Sequence, residues 1–413
     1  MGAASVPVSR KRMLLTCTPP VPDGVGGIIL SDLCALLPIG SLCISVLTSK
    51  TDRSGDSRGI SDVPVHWVHV PYAAGLGRQL DPFRKFLKWV SLTVSNGRAL
   101  IHARRSCVNW GRAQGVQELW AVLDAPASIK LAECVARDLQ VPLRLVVWDD
   151  IDHNTRHFNV DRLTSLVLKT DFSRALHAST SCAVIGEEMQ ASYEAVFGVR
   201  AVILRHGIAP AQKPLAQGLR QLNSCLIIGF AGSVSARSAF DALLAALDQA
   251  GWELRGRPVI LRLFGQRFTL EATTSRRIDY RGWLPSTEAT VAALAECDVG
   301  YLPQPFEPDW APFSRLSFPT KLSTYLAADL PVLIHAPEWA SLPRFLARYP
   351  IGTCCSSLDQ GSITNALLRL MDADILASCA DARIQAIRQE FSPEVFRSRF
   401  AAFLDVDEAA LNA

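Results

Sequence analysis

Short runs of consecutive apolar residues recur along the chain, separated by segments whose apolar positions follow a helical period. Residues 13–17, 42–47, 65–70, 119–123 and 143–148 read as buried strands. Residues 129–139 carry a helical pattern, and so do residues 28–37, which follow a loop of Pro19, Pro20, Pro22, Asp23, Gly24, Gly26 and Gly27. A polar break at 209–222, with Pro210, Gln212, Lys213, Pro214, Gln217 and Gly218, reads as a linker. The alternation then restarts. Strands are expected at 226–230, 259–264, 278–280 and 299–302, and helices at 239–250 and 287–296. Strands alternating with helices predict a parallel sheet covered on both faces.

Two successive units of this kind define the expected fold class: α/β, with two Rossmann-like domains facing a cleft. The expected division is 1–208, the linker 209–222, a second domain 223–388 and a terminal segment 389–413. A chain of 413 residues is too long for one ordinary core, which agrees with two domains of roughly 200 residues each. Ligands of such sheets bind beyond the carboxyl ends of the strands. Gly24 to Gly27, Gly232-Ser233 and the loop before Lys321 all fall at such ends, so a cleft site is expected.

The segment 318–333, FPTKLSTYLAADLPVL, is the richest in chemistry. It reads as a loop, a short helix, a tight turn and a buried strand. Proline is tolerated in a first helical turn, and Pro319 stands there with Thr320 and Lys321. Unpaired N–H groups, a hydroxyl and an ammonium together suit a phosphate group. Lys321 as a solvated helix lysine is the competing reading.

Composition narrows the class. Hydrophobic residues make up 49% and charged residues 20%, as in a folded globular protein. A net charge of +3 is too small to argue for a nucleic-acid partner. The 11 cysteines are scattered, with no CxxC, and predict buried thiols and no zinc site. The apolar run after Arg12 is too short for a signal peptide or a membrane span, so a cytoplasmic protein is expected. Residues 81–93, DPFRKFLKWVSLT, place Phe83, Phe86, Leu87 and Val90 on one face among Arg84, Lys85 and Lys88. That pattern fits a peripheral helix at the inner face of a membrane, or the commoner core-facing helix with a basic edge.

Asp150-Ile151-Asp152 has the spacing of a metal-binding DxD. It follows a strand of the first domain, so an acceptor pocket is the favoured assignment and no metal is expected. Asp152 or His153 is the candidate base for an inverting reaction. His206 reads as structural. The absence of GxSxG, a Walker loop and HExxH removes the main support for hydrolase and NTPase readings.

Four segments of the second half, in order, carry a resemblance: IGFAGSVSAR (228–237), LRLFG (261–265) with IDYRGWLP (278–285), CDVGYLPQP (297–305), and FPTKLSTYLAADLPVL (318–333). They resemble the donor domain of GT-B glycosyltransferases, in particular the retaining group 4 class. CAVIGEEMQASYEAVFGV (182–199) looks like the last strand and helix of that family's first domain, and Arg205-His206-Gly207-Ile208 stands where the chain crosses over. The resemblance implies a hexosyltransferase-type enzyme of glycan, polysaccharide or glycolipid synthesis. It would take a nucleotide sugar as donor and a glycan or lipid-linked acceptor, and would need no cofactor. It implies that Lys321 and Arg237 neutralise the donor diphosphate and that Thr320 and Ser233 hydrogen-bond to it. Gly26, Gly27, Gly232, Gly265, Gly282, Trp283, Pro319 and Thr324 would line the donor site. It also implies that the last helix, with Phe391, Phe396, Phe400 and Phe403, packs back on the first domain. The family often has glutamates where this chain has Leu316 and Thr324. Their loss leaves open a non-catalytic nucleotide-binding or regulatory protein of this fold, and a sugar-nucleotide epimerase is a further alternative.

Overall fold

A computed structural model describes residues 10–21, 24–49, 63–70, 82–208, 224–265 and 276–412, with side chains omitted at 82–89 and 92. The chain divides into two compact units, Met1–Leu204 with Arg397–Ala413, and Arg205–Phe396.

The first unit is built on seven parallel strands: β1 (Arg12–Thr16), β2 (Leu42–Thr48), β3 (Val65–His69), β4 (Glu118–Val122), β5 (Leu143–Val146), β6 (Ser181–Val184) and β7 (Ala201–Ile203). Their order is β3-β2-β1-β4-β5-β6-β7. Helices cover the sheet, so its inner strands are apolar throughout, and β1 and β4 are buried at every position. The segment 182–199 does not hold the last strand: β7 follows it. Three residues are too few to show a period in sequence. At the amino ends of the strands, the fully buried Glu118 lies between Arg12 (2.6 Å) and Arg144 (2.7 Å). Arg144 and Ser181 both donate to the carbonyl of Phe403 in the terminal helix Pro393–Leu404. Phe400 and Phe403 pack on Trp120, with ring centroids 5.5 and 6.4 Å away.

The second unit has β8 (Leu226–Ala231), β9 (Glu253–Leu254), β10 (Arg257–Phe264), β11 (Ile278–Gly282), β12 (Val299–Pro303), β13 (Val332–His335) and β14 (Gly352–Cys355). Six are parallel in the order β11-β10-β8-β12-β13-β14, and β9 adds an antiparallel pair to β10. The topology reverses direction between β8 and β12, and a sheet opens a crevice at such a point. Phe230, Phe240 and Tyr301 fill the core beneath it.

The units meet the chain at other places than 208 and 389. Arg205 already belongs to the second unit, as does everything up to Phe396. Its guanidinium stacks 4.0 Å from the ring centre of Phe318 and pairs with the buried Glu390 at 2.8 Å. Ile208 donates its N–H to the Phe391 carbonyl at 2.7 Å, beside the π-helical turn Ile387–Phe391. Those contacts hold 205–208 and 387–391 to the second sheet's own helices. The expected linker at 209–222 lies outside the described residues. All eleven cysteines are free thiols, six of them buried. Among the described residues, no helix is long and apolar enough to cross a membrane.

Candidate functional site

In the second unit, three turns gather at the carboxyl ends of the strands. β8 ends in Ala231-Gly232-Ser233, β10 in Gly265 and β11 in Gly282. Gly232 donates its N–H to Phe264 O at 2.7 Å, and Gly265 donates to Gly282 O at 2.8 Å, so the three turns are laced together. Gly232 has φ +95° and Gly265 φ +136°, both unfavourable for a residue with a side chain. Space is lacking as well: a Cβ on Gly265 would lie 2.5 Å from Gly232 O, and one on Gly232 would lie 2.9 Å from Lys321 Cε.

Lys321 opens the helix Lys321–Ala327 and reaches back to this lacing. Its ammonium donates to Ser233 O at 2.8 Å and sits 4.7 Å from the Phe230 ring centre. Burial lowers its pKa to about 8. A half-buried cation that donates to one carbonyl among the described residues retains capacity for an anion. The helix starts later than the sequence indicates. Pro319 and Thr320 form a preceding turn, in which Leu322 and Ser323 donate to the Pro319 and Thr320 carbonyls, both at 3.1 Å. Thr320 is exposed and Thr324 is half-buried.

The other expected donor residues are placed less closely. Arg237 begins the helix Arg237–Gln249, where its guanidinium pairs with Asp241 at 2.8 Å. Trp283 is 71% exposed just after β11. Leu316 ends the short helix Ala311–Leu316.

Sequence reading missed the groups behind the lysine. Tyr325, one helical turn beyond Lys321, is fully buried. Its hydroxyl donates to Tyr301 O at 2.9 Å and accepts the Ala231 N–H at 3.1 Å. Burial lowers the pKa of His335 and keeps the ring neutral. It donates Nε2–H to Ser357 O at 2.9 Å, and its Nδ1 lies 2.9 Å from the Tyr301 hydroxyl, which also donates to Ala239 O at 2.9 Å. Separate buried hydrogen bonds thus hold the carbonyl and the hydroxyl of Tyr301 behind the glycine turns. The available sequence signal was Tyr325 at four residues from Lys321, the spacing of neighbours on one helix face.

In the first unit, Gly26 and Gly27 do not sit in a free loop. They lie in the helix Gly24–Ala35. A Cβ on Gly27 would meet Val21 O at 2.4 Å, and one on Gly26 the Trp148 ring at 2.9 Å, so close packing of the preceding loop and of Trp148 requires both. Beyond β5, Asp150 caps the helix Ile151–His157 by accepting the Asp152 N–H at 3.1 Å. The Tyr193 hydroxyl donates to Asp150 at 3.3 Å. Asp152 forms an ion pair with Lys169. His153 stacks on His157 with centroids 6.0 Å apart. Desolvation lowers the His153 pKa against the pull of Asp149, and raises that of Asp149 against the pull of His153 and His157. The expected DxD is therefore one cap and one salt-bridge partner. Among the described residues, no three His, Cys, Asp or Glu side chains gather as a metal-binding group. Residues 82–93 enter a much longer helix, Pro82–Ala113, in which the side chains of Phe83, Phe86 and Leu87 lie outside the described residues.

Two doubly wound parallel sheets, together with the solved structures they match, define the GT-B fold. A family model for the glucosyltransferase 3-like C-terminal domain matches residues 247–392. Among solved structures, sucrose-phosphate synthase from Thermosynechococcus elongatus superposes with a TM-score of 0.66 at 14% identity, covering 96% of this chain and 98% of that one. The α,α-trehalose 6-phosphate synthase from Burkholderia multivorans gives 0.60 at 12% identity, covering 97% and 94%. WaaG, a glycosyltransferase involved in lipopolysaccharide biosynthesis, gives 0.54 at 12% identity, covering 95% and 99%. Likeness at such identity establishes the fold and leaves chemistry to the site. No curated protein sequence matches the chain.

Proposed function

We propose that the chain is a glycosyltransferase that moves a hexose from a nucleotide-diphosphate sugar to a glycan, polysaccharide or lipid-linked acceptor, with retention at the anomeric carbon. One observation carries the reading: the Lys321 ammonium lies against the Gly232-Ser233 turn, at the carboxyl end of β8. A leaving nucleoside diphosphate gains negative charge as the glycosidic bond breaks, and a fixed cation in a partly desolvated site stabilises that charge. Ser233 and Thr320 supply hydroxyls beside it, and Arg237 a second cation once it exchanges Asp241 for phosphate. Gly282 and Trp283 are assigned to the base, and Pro319 and Thr324 to the donor wall. No metal is needed in this scheme, so transfer should persist in EDTA.

The first unit is assigned the acceptor. Asp149 and His153 are its candidate proton-handling groups, since Asp152 is engaged by Lys169. Gly26 and Gly27 keep the neighbouring helix start bare of side chains. Peripheral membrane contact is assigned to the helix Pro82–Ala113. Val90, Val94 and Ile101 are exposed there at positions sharing one helical face, with Arg98 and Arg105 exposed beside them. Sedimentation with anionic vesicles tests that part: a chain left in the supernatant removes it.

The central test is calorimetric titration of UDP, GDP and ADP into the wild-type chain and Lys321→Ala. Binding of one diphosphate that the variant loses supports the donor site. Equal binding by both removes it. A second reading, a nucleotide binder without turnover, is favoured by Leu316 and Thr324, which stand where the resembled family often has glutamates. Product analysis with and without acceptor separates it, and the epimerase alternative, from transfer.

A further inference from the structure

Tyr325 occupies the point where β8 and β12 part. The two strands pair only at Ile228 with Val299 and at Gly229 with Gly300. Ala231, two residues on, no longer faces a β12 backbone partner in this register, and its N–H is taken by the Tyr325 hydroxyl. On its other side, the same turn is held to β10 by Gly232 N–H to Phe264 O. Unpaired buried N–H groups are costly, so a hydroxyl at this position decides whether the end of β8 is fixed or loose. Tyr325 and Lys321 leave the same helix one turn apart, and both reach the segment 231–233.

We infer that Tyr325 is a positioning residue that pre-forms the diphosphate pocket by clamping the carboxyl end of β8 to the Lys321 helix. The inference rests on the donor-site reading above and names what holds that site ready. The clamp has two anchors, Ala231 N–H and the Tyr301 backbone carbonyl. With the turn fixed, Ser233 O stays where the Lys321 ammonium meets it, and an incoming anion finds the cation in place. Without the hydroxyl, the Ala231 N–H seeks another partner, the turn shifts, and part of the binding energy is spent on ordering it.

The test is Tyr325→Phe, which removes one oxygen and keeps the ring. Dissociation constants for UDP, GDP and ADP are measured well below the melting midpoint of either protein. The expected result is about a tenfold weaker affinity for the diphosphate the wild type prefers, with a higher donor KM at little change in kcat. Unchanged affinity in a variant with a lowered melting midpoint shows a purely structural tyrosine and overturns the inference. Failure of the wild type to bind any of the three diphosphates overturns the donor-site reading and this inference together. Hydrogen exchange on the wild type gives a readout independent of the variant's folding. Slow exchange at 231–233 in the free chain supports a pre-formed turn. Fast exchange that slows only when the diphosphate is added overturns it.

Discussion

Gly300 on β12 makes room for the Tyr325 ring: a Cβ at position 300 would come within 2.9 Å of both Cγ and Cδ2. The ring cannot retreat, because Tyr325 is fully buried and held at its hydroxyl by Ala231 and Tyr301. Gly300→Ala should therefore behave as overpacking and cost about 1–3 kcal/mol of stability. Urea denaturation reads the loss as a lowered midpoint at unchanged slope. An unchanged midpoint would mean that the ring is free to move.

Lys321 gives binding a pH dependence of definite sign. Its folded-state pKa is lowered to about 8 from the ordinary lysine value of 10.5, because burial penalises the charged form. Above about pH 8 the free protein has lost the ammonium that the diphosphate needs, so affinity should fall by up to about tenfold per pH unit beyond it. Stability moves the other way. Between about 8 and 10.5 the unfolded chain holds the proton that the folded one has released, so this group's contribution to stability rises with pH. Calorimetry at about pH 7.5 and 9.5 checks the first statement, with Lys321→Arg expected to flatten the profile. A pH-independent affinity in the wild type would remove Lys321 from the binding step.

Arg205 holds the chain crossing to the donor loop. It stacks on Phe318, the residue before Pro319, and pairs with Glu390, which is 2% exposed and also accepts from Tyr349 at 3.0 Å. Arg205→Met keeps volume and loses charge. It should destabilise the chain by about 3 kcal/mol, because a buried carboxylate loses its closest cation. Arg205→Met combined with Glu390→Gln should recover part of that loss, since the carboxylate charge goes too. Thermal unfolding of the three variants measures it, and a double variant no more stable than the single one would show that packing dominates.

Sequence disclosed local features well and long-range ones poorly. Both sheets were legible because their strands, covered on two faces, are unbroken apolar runs such as 226–230, which forms β8. Lys321 stood out through its neighbours Pro319 and Thr320. The Tyr325 clamp was not legible, since its meaning depends on Gly300, Tyr301 and Ala231, which only the fold brings near. The packing of Gly26 and Gly27 was not legible for the same reason. A glycine required by Trp148 and a glycine required by a ligand are the same letter. Arg205 was legible only as part of the crossing segment 205–208, because its partners Phe318 and Glu390 lie far along the chain.

Asp329 separates two opposing effects at the end of the Lys321–Ala327 helix. It adopts φ +54°, a left-handed conformation that glycine takes at no cost and aspartate at about 1 kcal/mol. On backbone grounds alone, Asp329→Gly should stabilise the chain. Its carboxylate, however, accepts from Arg383 Nε at 2.9 Å and pairs with Nη2 at 2.8 Å, and Arg383 is only 6% exposed. Removing the carboxylate leaves a buried guanidinium short of its anion. Asp329 is itself 43% exposed, so solvent reduces the loss to about 2–3 kcal/mol. The electrostatic loss exceeds the backbone gain, and Asp329→Gly should lower stability by about 1–2 kcal/mol. Adding Arg383→Met removes the stranded charge and should return the chain to wild-type stability or above it, leaving the backbone gain visible. Denaturation of the single and double variants decides the sign, and a stabilised single variant would mean that the Arg383 pair contributes nothing.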